Sequence, residues 1–186
     1  MKVPRSFAVA LASAPTRILR ATLVRRVPLS PLVALGTVDY LFISGRSYRY
    51  NTAGVSCIYF AEDEATAAAE YERHTRPIKQ PFATYFAEVE FAAVLDLCSA
   101  ATVKALGLTR PELEANWARA KRPTAAQLLG EAVSQQTAIA AIRFPSDAAR
   151  KKGFAGANVV IFRDCLRRPD RVHILGPTKK PLQKWP

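Results

Sequence analysis

Apolar and polar side chains alternate along much of this chain, and the alternation gives way to helical spacing in its middle third. Residues 20–28, RATLVRRVP, set Leu23, Arg25 and Val27 on one face and Val24 and Arg26 on the other. That is the period-two pattern of a strand. Pro28 and Pro31 break it into a loop, and 37–43, TVDYLFI, form a second apolar run of strand type. Residues 56–61 alternate again, with Ile58 and Phe60 opposite Cys57, Tyr59 and Ala61. Residues 83–97 read as a long or bent strand carrying Tyr85, Ala87, Val89 and Phe91 on one face. Shorter strands are expected at 138–144, 157–163 and 172–175.

Asp63 is a suitable N-cap for a helix that continues through Ala65, Ala67, Ala68 and Ala69, small residues of high helix propensity. Helical stretches follow at 100–106, 113–120 and 124–133, with Pro111 at an N1 position and Gly107 and Pro123 as separators. An N-terminal helix from Arg5 to Ala14 is expected in a loose arm, and 150–153 reads as a loop. Strands cluster at both ends with helices inserted between them. The fold class is therefore α+β with a partly antiparallel sheet, divided into an arm (1–20), one domain (21–176) and a basic, flexible tail (177–186).

Composition narrows the function. With 49% apolar and 9% aromatic residues in 186, the chain can bury a sizeable core. Its net charge of +12 favours nucleic acid, phosphorylated metabolites or other anionic partners. Three cysteines, Cys57, Cys98 and Cys165, lie far apart with no C-x-x-C pair, and only His74 and His173 accompany them. That argues against a zinc site and a disulfide framework, and for a reducing cytoplasm. No apolar run approaches the roughly 18 residues of a membrane span. The first residues, MKVPRSFAVALASAPT, resemble a poor signal peptide; a frayed or docking helix is the favoured reading. Neither a Rossmann glycine fingerprint nor a P-loop occurs.

The candidate chemistry lies between Gly45 and His74. Arg46 and Arg49 stand just before a turn at 51–54, where a guanidinium fork can grip an anion or simply face solvent. Tyr59 and Glu70 stand eleven residues apart across a strand-to-helix junction. A glutamate on an alanine-rich face needs a partner: solvent, Arg73 and His74 are the local choices. Ser146 has no nucleophile-elbow glycines around it and can cap the following turn, while Asn158 reads as a loop-end residue. His74 and His173 read as peripheral.

Taken in order, these pieces resemble the RES domain family. The resemblance rests on Arg49-Tyr50-Asn51 with Gly54, on Tyr59, on the alanine-rich helix with Glu70, on Phe144-Pro145-Ser146, and on Asn158-Val159-Val160. It spans about residues 22–175. Tyr50 stands where members carry Trp or Phe, and the loop at 28–45 does not align. The family's first-strand arginine falls on either Arg25 or Arg26. The resemblance implies an ADP-ribosyltransferase-like fold, with mainly antiparallel sheets and inserted helices, and an enzyme that consumes NAD as substrate, with no cofactor or metal. It implies a toxin neutralised by an Xre-type helix-turn-helix antitoxin, with nucleic acid reached only through that partner. Cleavage of the nicotinamide–ribose bond passes through an oxocarbenium-like state. In that reading Glu70 stabilises the charge, Arg49 with Arg25 or Arg26 grips the pyrophosphate, and Tyr59 meets the nicotinamide ribose. Ser146 and Asn158 position substrate or side chains. Inorganic phosphate or water is the acceptor; transfer of ADP-ribose to a protein is the alternative. A second class, a non-enzymatic nucleic-acid module, is motivated by the basic stretches at 150–152 and 179–184.

Overall fold

The structure, a computed structural model, describes residues 5–29, 41–42, 45–75, 81–136, 138–175 and 181–186. Seven strands are found among them: β1 (Thr16–Pro28), β2 (Cys57–Ala61), β3 (Phe82–Asp96), β4 (Ala141–Pro145), β5 (Ala157–Phe162), β6 (Arg171–Leu175) and β7 (Pro181–Trp185). The helices are α1 (Arg5–Ser13), α2 (Glu64–Thr75), α3 (Ala100–Ala105), α4 (Arg110–Glu114), α5 (Ala125–Ser134) and α6 (Asp147–Lys151).

The strands run in the order β1-β2-β5-β4-β3-β6-β7, and β1 also pairs with β3. That extra pairing is extensive, from Thr16↔Leu95 to Pro28↔Phe82. The far edge of β3 is divided, its last residues taking β4 and its middle taking β6. Five strands thus close on one another, and β6 and β7 extend from β3. Among the described strands β3–β4 is the one parallel pair; the other pairings are antiparallel.

All six residues of β5 are buried, because apolar groups cover both of its faces. Val159 and Ile161 join Leu23, Ile58, Val89 and Phe91 inside the closed strands. Val160 and Phe162 pack on the opposite side with Leu11, Leu113, Leu129 and Val133 of the helices. Each such side chain, fully buried, contributes about 1.5–3 kcal/mol. This explains why the stretch ANVVIF lacks a polar alternate position beyond Asn158.

Several elements differ from expectation. β1 begins at Thr16 rather than at residue 20, because β3 is long enough to pair with the extra turn of chain. The helix expected at 113–120 ends at Glu114, where Ala115 turns extended (φ −51°, ψ 142°). Residues 150 and 151 belong to α6, not to a loop. Residues 181–185, expected in the flexible tail, form β7 on the edge of β6, and Trp185 packs edge-on against Phe42 at 4.9 Å. The strand expected at 37–43 falls mostly outside the described residues; Leu41 and Phe42 are buried and lie outside any strand. α1 does dock, through Leu11, onto the helical side of the core. No described helix is long and apolar enough to cross a membrane.

Candidate functional site

α2 starts where Asp63 caps it, accepting from the Thr66 backbone N–H (2.7 Å) and the Thr66 hydroxyl (2.9 Å). Thr66, Ala67 and Ala69 are buried, so the helix lies close on its neighbours β1, β2 and α6. The approach is tight enough that a Cβ on Gly156 would stand 2.3 Å from Thr66 Oγ1. The face carrying Ala67, Glu70, Tyr71 and His74, spaced i, i+3, i+4 and i+7, then lines a cleft of about 630 Å³. The opposite walls come from the end of β1, from β2, and from Tyr48, Arg49, Trp117, Phe144 and Asn158. This volume is in the range of small-ligand sites.

Glu70 is held by two neutral donors. The Ser146 hydroxyl and the Asn158 side-chain amide each donate to Oε1 at 2.7 Å. Oε2 receives no hydrogen bond from a described residue. Ser146 also caps α6, accepting from the Ala149 N–H at 3.1 Å, so its hydroxyl is fixed in direction. Asn158 is set by strand register between Ala61 of β2 and Phe144 of β4. It is a strand residue rather than a loop end. The local partners expected for Glu70, Arg73 and His74, are not its hydrogen-bond donors. His74 nonetheless lines the cleft one helical turn beyond Glu70, in place of the peripheral position expected. Burial lowers its pKa, with Arg73 and Arg25 acting the same way and Glu70 opposing.

The turn before β2 is built on buried polar anchors. Asn51 is fully buried, and its amide donates to the carbonyls of Arg46 (2.7 Å) and Thr52 (3.2 Å). The Tyr59 hydroxyl donates to Asn51 Oδ1 and accepts from the Tyr50 N–H, both at 3.0 Å. Burial pushes the Tyr59 phenol well above its ordinary pKa. Its ring faces the cleft while its hydroxyl is engaged in the turn. From the other side α5 presses against this turn: a Cβ on Gly130 would stand 1.7 Å from the Tyr50 carbonyl oxygen, so only glycine fits.

Arg49 ion-pairs with Asp147, the first residue of α6. Burial opposes the charge of both groups. The mutual pair outweighs it, raising the arginine and, with help from Arg150, holding the carboxyl below its usual range. Sequence reading missed Asp147, whose position looks like an ordinary acidic residue of a first helical turn. Arg25 and Arg26 both line the cleft. Arg25 donates to the carbonyls of Leu41 (3.2 Å) and Tyr59 (3.1 Å). Arg26 lies over the Phe82 ring at 4.6 Å, and its buried Nε has no hydrogen-bond partner among the described residues. Arg46 is exposed.

Of the residues singled out from sequence, Arg25, Arg26, Arg49, Tyr59, Glu70 and Asn158 line one cleft, and Ser146 reaches it through Glu70. Among the described residues no cluster of three or more His, Cys, Asp or Glu is arranged to hold a metal ion. Burial pushes Cys57 up to about 12 and Cys98 and Cys165 up to about 11, so these thiols stay protonated at neutral pH. What the cleft offers is an oriented carboxylate with one unengaged oxygen, cations on its walls and aromatic rings at its rim.

Comparison with solved structures places the fold beside that of the Mycobacterium tuberculosis MbcT-MbcA toxin-antitoxin complex. The TM-score is 0.63 at 18% identity, over 90% of this chain and 88% of that one. Comparison with curated protein sequences gives no match. The family model described as RES domain matches residues 31–181, which includes the turn, Tyr59, Glu70, Ser146 and Asn158. The chain belongs to the RES domain family.

Proposed function

We propose that this protein is an NAD-consuming toxin enzyme of a toxin–antitoxin pair, acting in the cytoplasm and cleaving the nicotinamide–ribose bond in an ADP-ribosyltransferase-like cleft. The observation that carries the reading is the state of Glu70. Two uncharged donors hold its Oε1. They fix its direction without cancelling its charge, and the carboxylate faces the cleft. As the C–N bond breaks, its electron pair leaves with nicotinamide, which departs neutral. Positive charge grows on the ribose C1′ and ring oxygen, where a carboxylate is most stabilising. An oxygen of water or inorganic phosphate then bonds to C1′; with water, a proton is released. Arg49 and Arg26 are suited to the pyrophosphate oxygens, Arg26 because a buried donor without a partner among the described residues favours an incoming acceptor. Arg25 supports the β2 backbone through the Tyr59 carbonyl.

The partner in this reading is an Xre-type helix-turn-helix antitoxin. The family match and the fold shared with a toxin from a toxin–antitoxin complex support that role. The basic stretch that motivated a nucleic-acid module is partly engaged within the chain. Arg150 pairs with Glu114 and Asp147, and Lys152 with Glu72. The test is to incubate purified protein with NAD, with and without phosphate, and follow nicotinamide release and the second product. Release with ADP-ribose or its 1″-phosphate is expected. Folded protein that releases no nicotinamide under either condition overturns the reading.

A further inference from the structure

Trp117 is out of place by the usual logic of a core. It lies in the loop after α4, between exposed residues Asn116 and Ala118 and close to the exposed cations Arg119, Lys121 and Arg122. Yet it is only half-exposed and belongs to none of the hydrophobic clusters. Its indole instead lines the cleft. The ring meets Tyr48 at 5.6 Å between centroids, tilted by 46°. Tyr48 in turn lies 6.1 Å from Tyr59. Tyr48 is firmly placed: its N–H donates to the Asn51 carbonyl (3.0 Å) and its carbonyl accepts from the Gln127 side chain (3.0 Å). The loop carrying Trp117 closes on itself through two turn bonds, Arg119 N–H to the Asn116 carbonyl at 3.2 Å and Ala120 N–H to the Trp117 carbonyl at 3.4 Å.

One aromatic ring is therefore fixed and a second stands against it at an open angle, both facing a cleft that also holds an oriented carboxylate. A large apolar ring left out of core packing and turned toward an open cleft is suited to a flat ligand. We infer that Trp117 and Tyr48 form the wall on which a planar aromatic ring of the substrate stacks. The inference rests on the NAD reading for the identity of that ring, which is either the nicotinamide or the adenine. A pyridinium ring gains additionally from its positive charge over the indole face, and that gain disappears when nicotinamide leaves neutral. Trp117 is then a substrate-contacting residue that sets affinity, while Glu70 carries the bond cleavage.

The chain has two tryptophans, so Trp185→Phe leaves Trp117 as the sole indole, and Trp117→Phe leaves Trp185. Nicotinamide and ADP-ribose, neither of which is turned over as NAD is, are titrated separately into both proteins. Saturable quenching in the Trp185→Phe protein, with only linear collisional quenching in the Trp117→Phe protein, supports the wall, and the ring that saturates is the one that stacks. In turnover, Trp117→Ala raises KM for NAD about tenfold with kcat changed less than about twofold, and Trp117→Phe recovers most of the loss. No saturable response to either probe, or an unchanged KM in Trp117→Ala, overturns the inference. Absence of NAD turnover by the wild type bears on the NAD reading alone, because the fluorescence titration does not depend on turnover.

Discussion

Glu62 and Glu70 stand eight positions apart around the start of α2, and the protein treats them in opposite ways. Glu62 is clasped by one guanidinium: Arg143 Nε and a terminal nitrogen donate to its two oxygens at 2.6 and 2.8 Å. The same Arg143 reaches Asp96, which Arg17 also contacts, so charge is matched by charge across β3, β4 and β1. Glu70 has neutral donors on one oxygen. A cation beside a carboxylate stabilises the fold but cancels the field that a positive transition state would feel. Hydroxyl and amide donors orient the group and leave its charge available. The first arrangement joins strands, and the second suits chemistry.

The sharpest way to break this contrast is to neutralise each carboxylate in turn. Glu70→Gln keeps the shape and is expected to slow nicotinamide release by about 10²–10³-fold with little change in melting temperature. Glu62→Gln should leave the rate within about twofold, so equal losses in the two variants would erase the distinction. Next in size is Arg143→Ala, which strands Glu62 and Asp96 at partly buried positions. A loss of about 2 kcal/mol is expected, between surface and buried pairs, or roughly 4–8 °C in thermal denaturation for a chain of this size. Asp147→Asn tests the charged pair that holds Arg49, a residue of the cleft wall. Releasing Arg49 should lower kcat/KM about tenfold, mostly through KM, with the fold retained by circular dichroism. The smallest effect is in acid. Asp96 has a depressed native pKa: burial acts against ionisation, but the Cys98 N–H and the Arg143 guanidinium outweigh it. Its contribution is whole above the unfolded value near 3.8 and is lost as pH falls through the native one. Asp96→Asn should flatten the stability–pH curve below about pH 4. An unchanged slope would mean that the network's charge does not contribute to stability.

The site was legible in the sequence to different depths. Glu70 stood out because a long acid on an alanine face needs a partner, yet the partners lay 76 and 88 residues away and no local pattern could name them. Asn158 looked like a loop end because Gly156 precedes it. The glycine is there for the close passage of α2, not for a turn. Tyr59 showed its face by alternation, but that its hydroxyl is engaged by Asn51 depends on how the turn folds back on β2. Asp147 and Trp117 carried no distinguishing local signal, one resembling a helix-start acid and the other lying in the stretch 113–120 that reads as helix.

Local chemistry was enough to determine the alternating strands, the Asp63-capped helix and the mixed α and β character, because side-chain period and capping act over a few residues. Family membership was legible from five short motifs in order. The closure of β1 onto β3, the strand at 181–185 and the choice of donors for each carboxylate belong to the tertiary structure. They depend on register between strands far apart in the chain, and a slip of one residue would turn Asn158 away from Glu70.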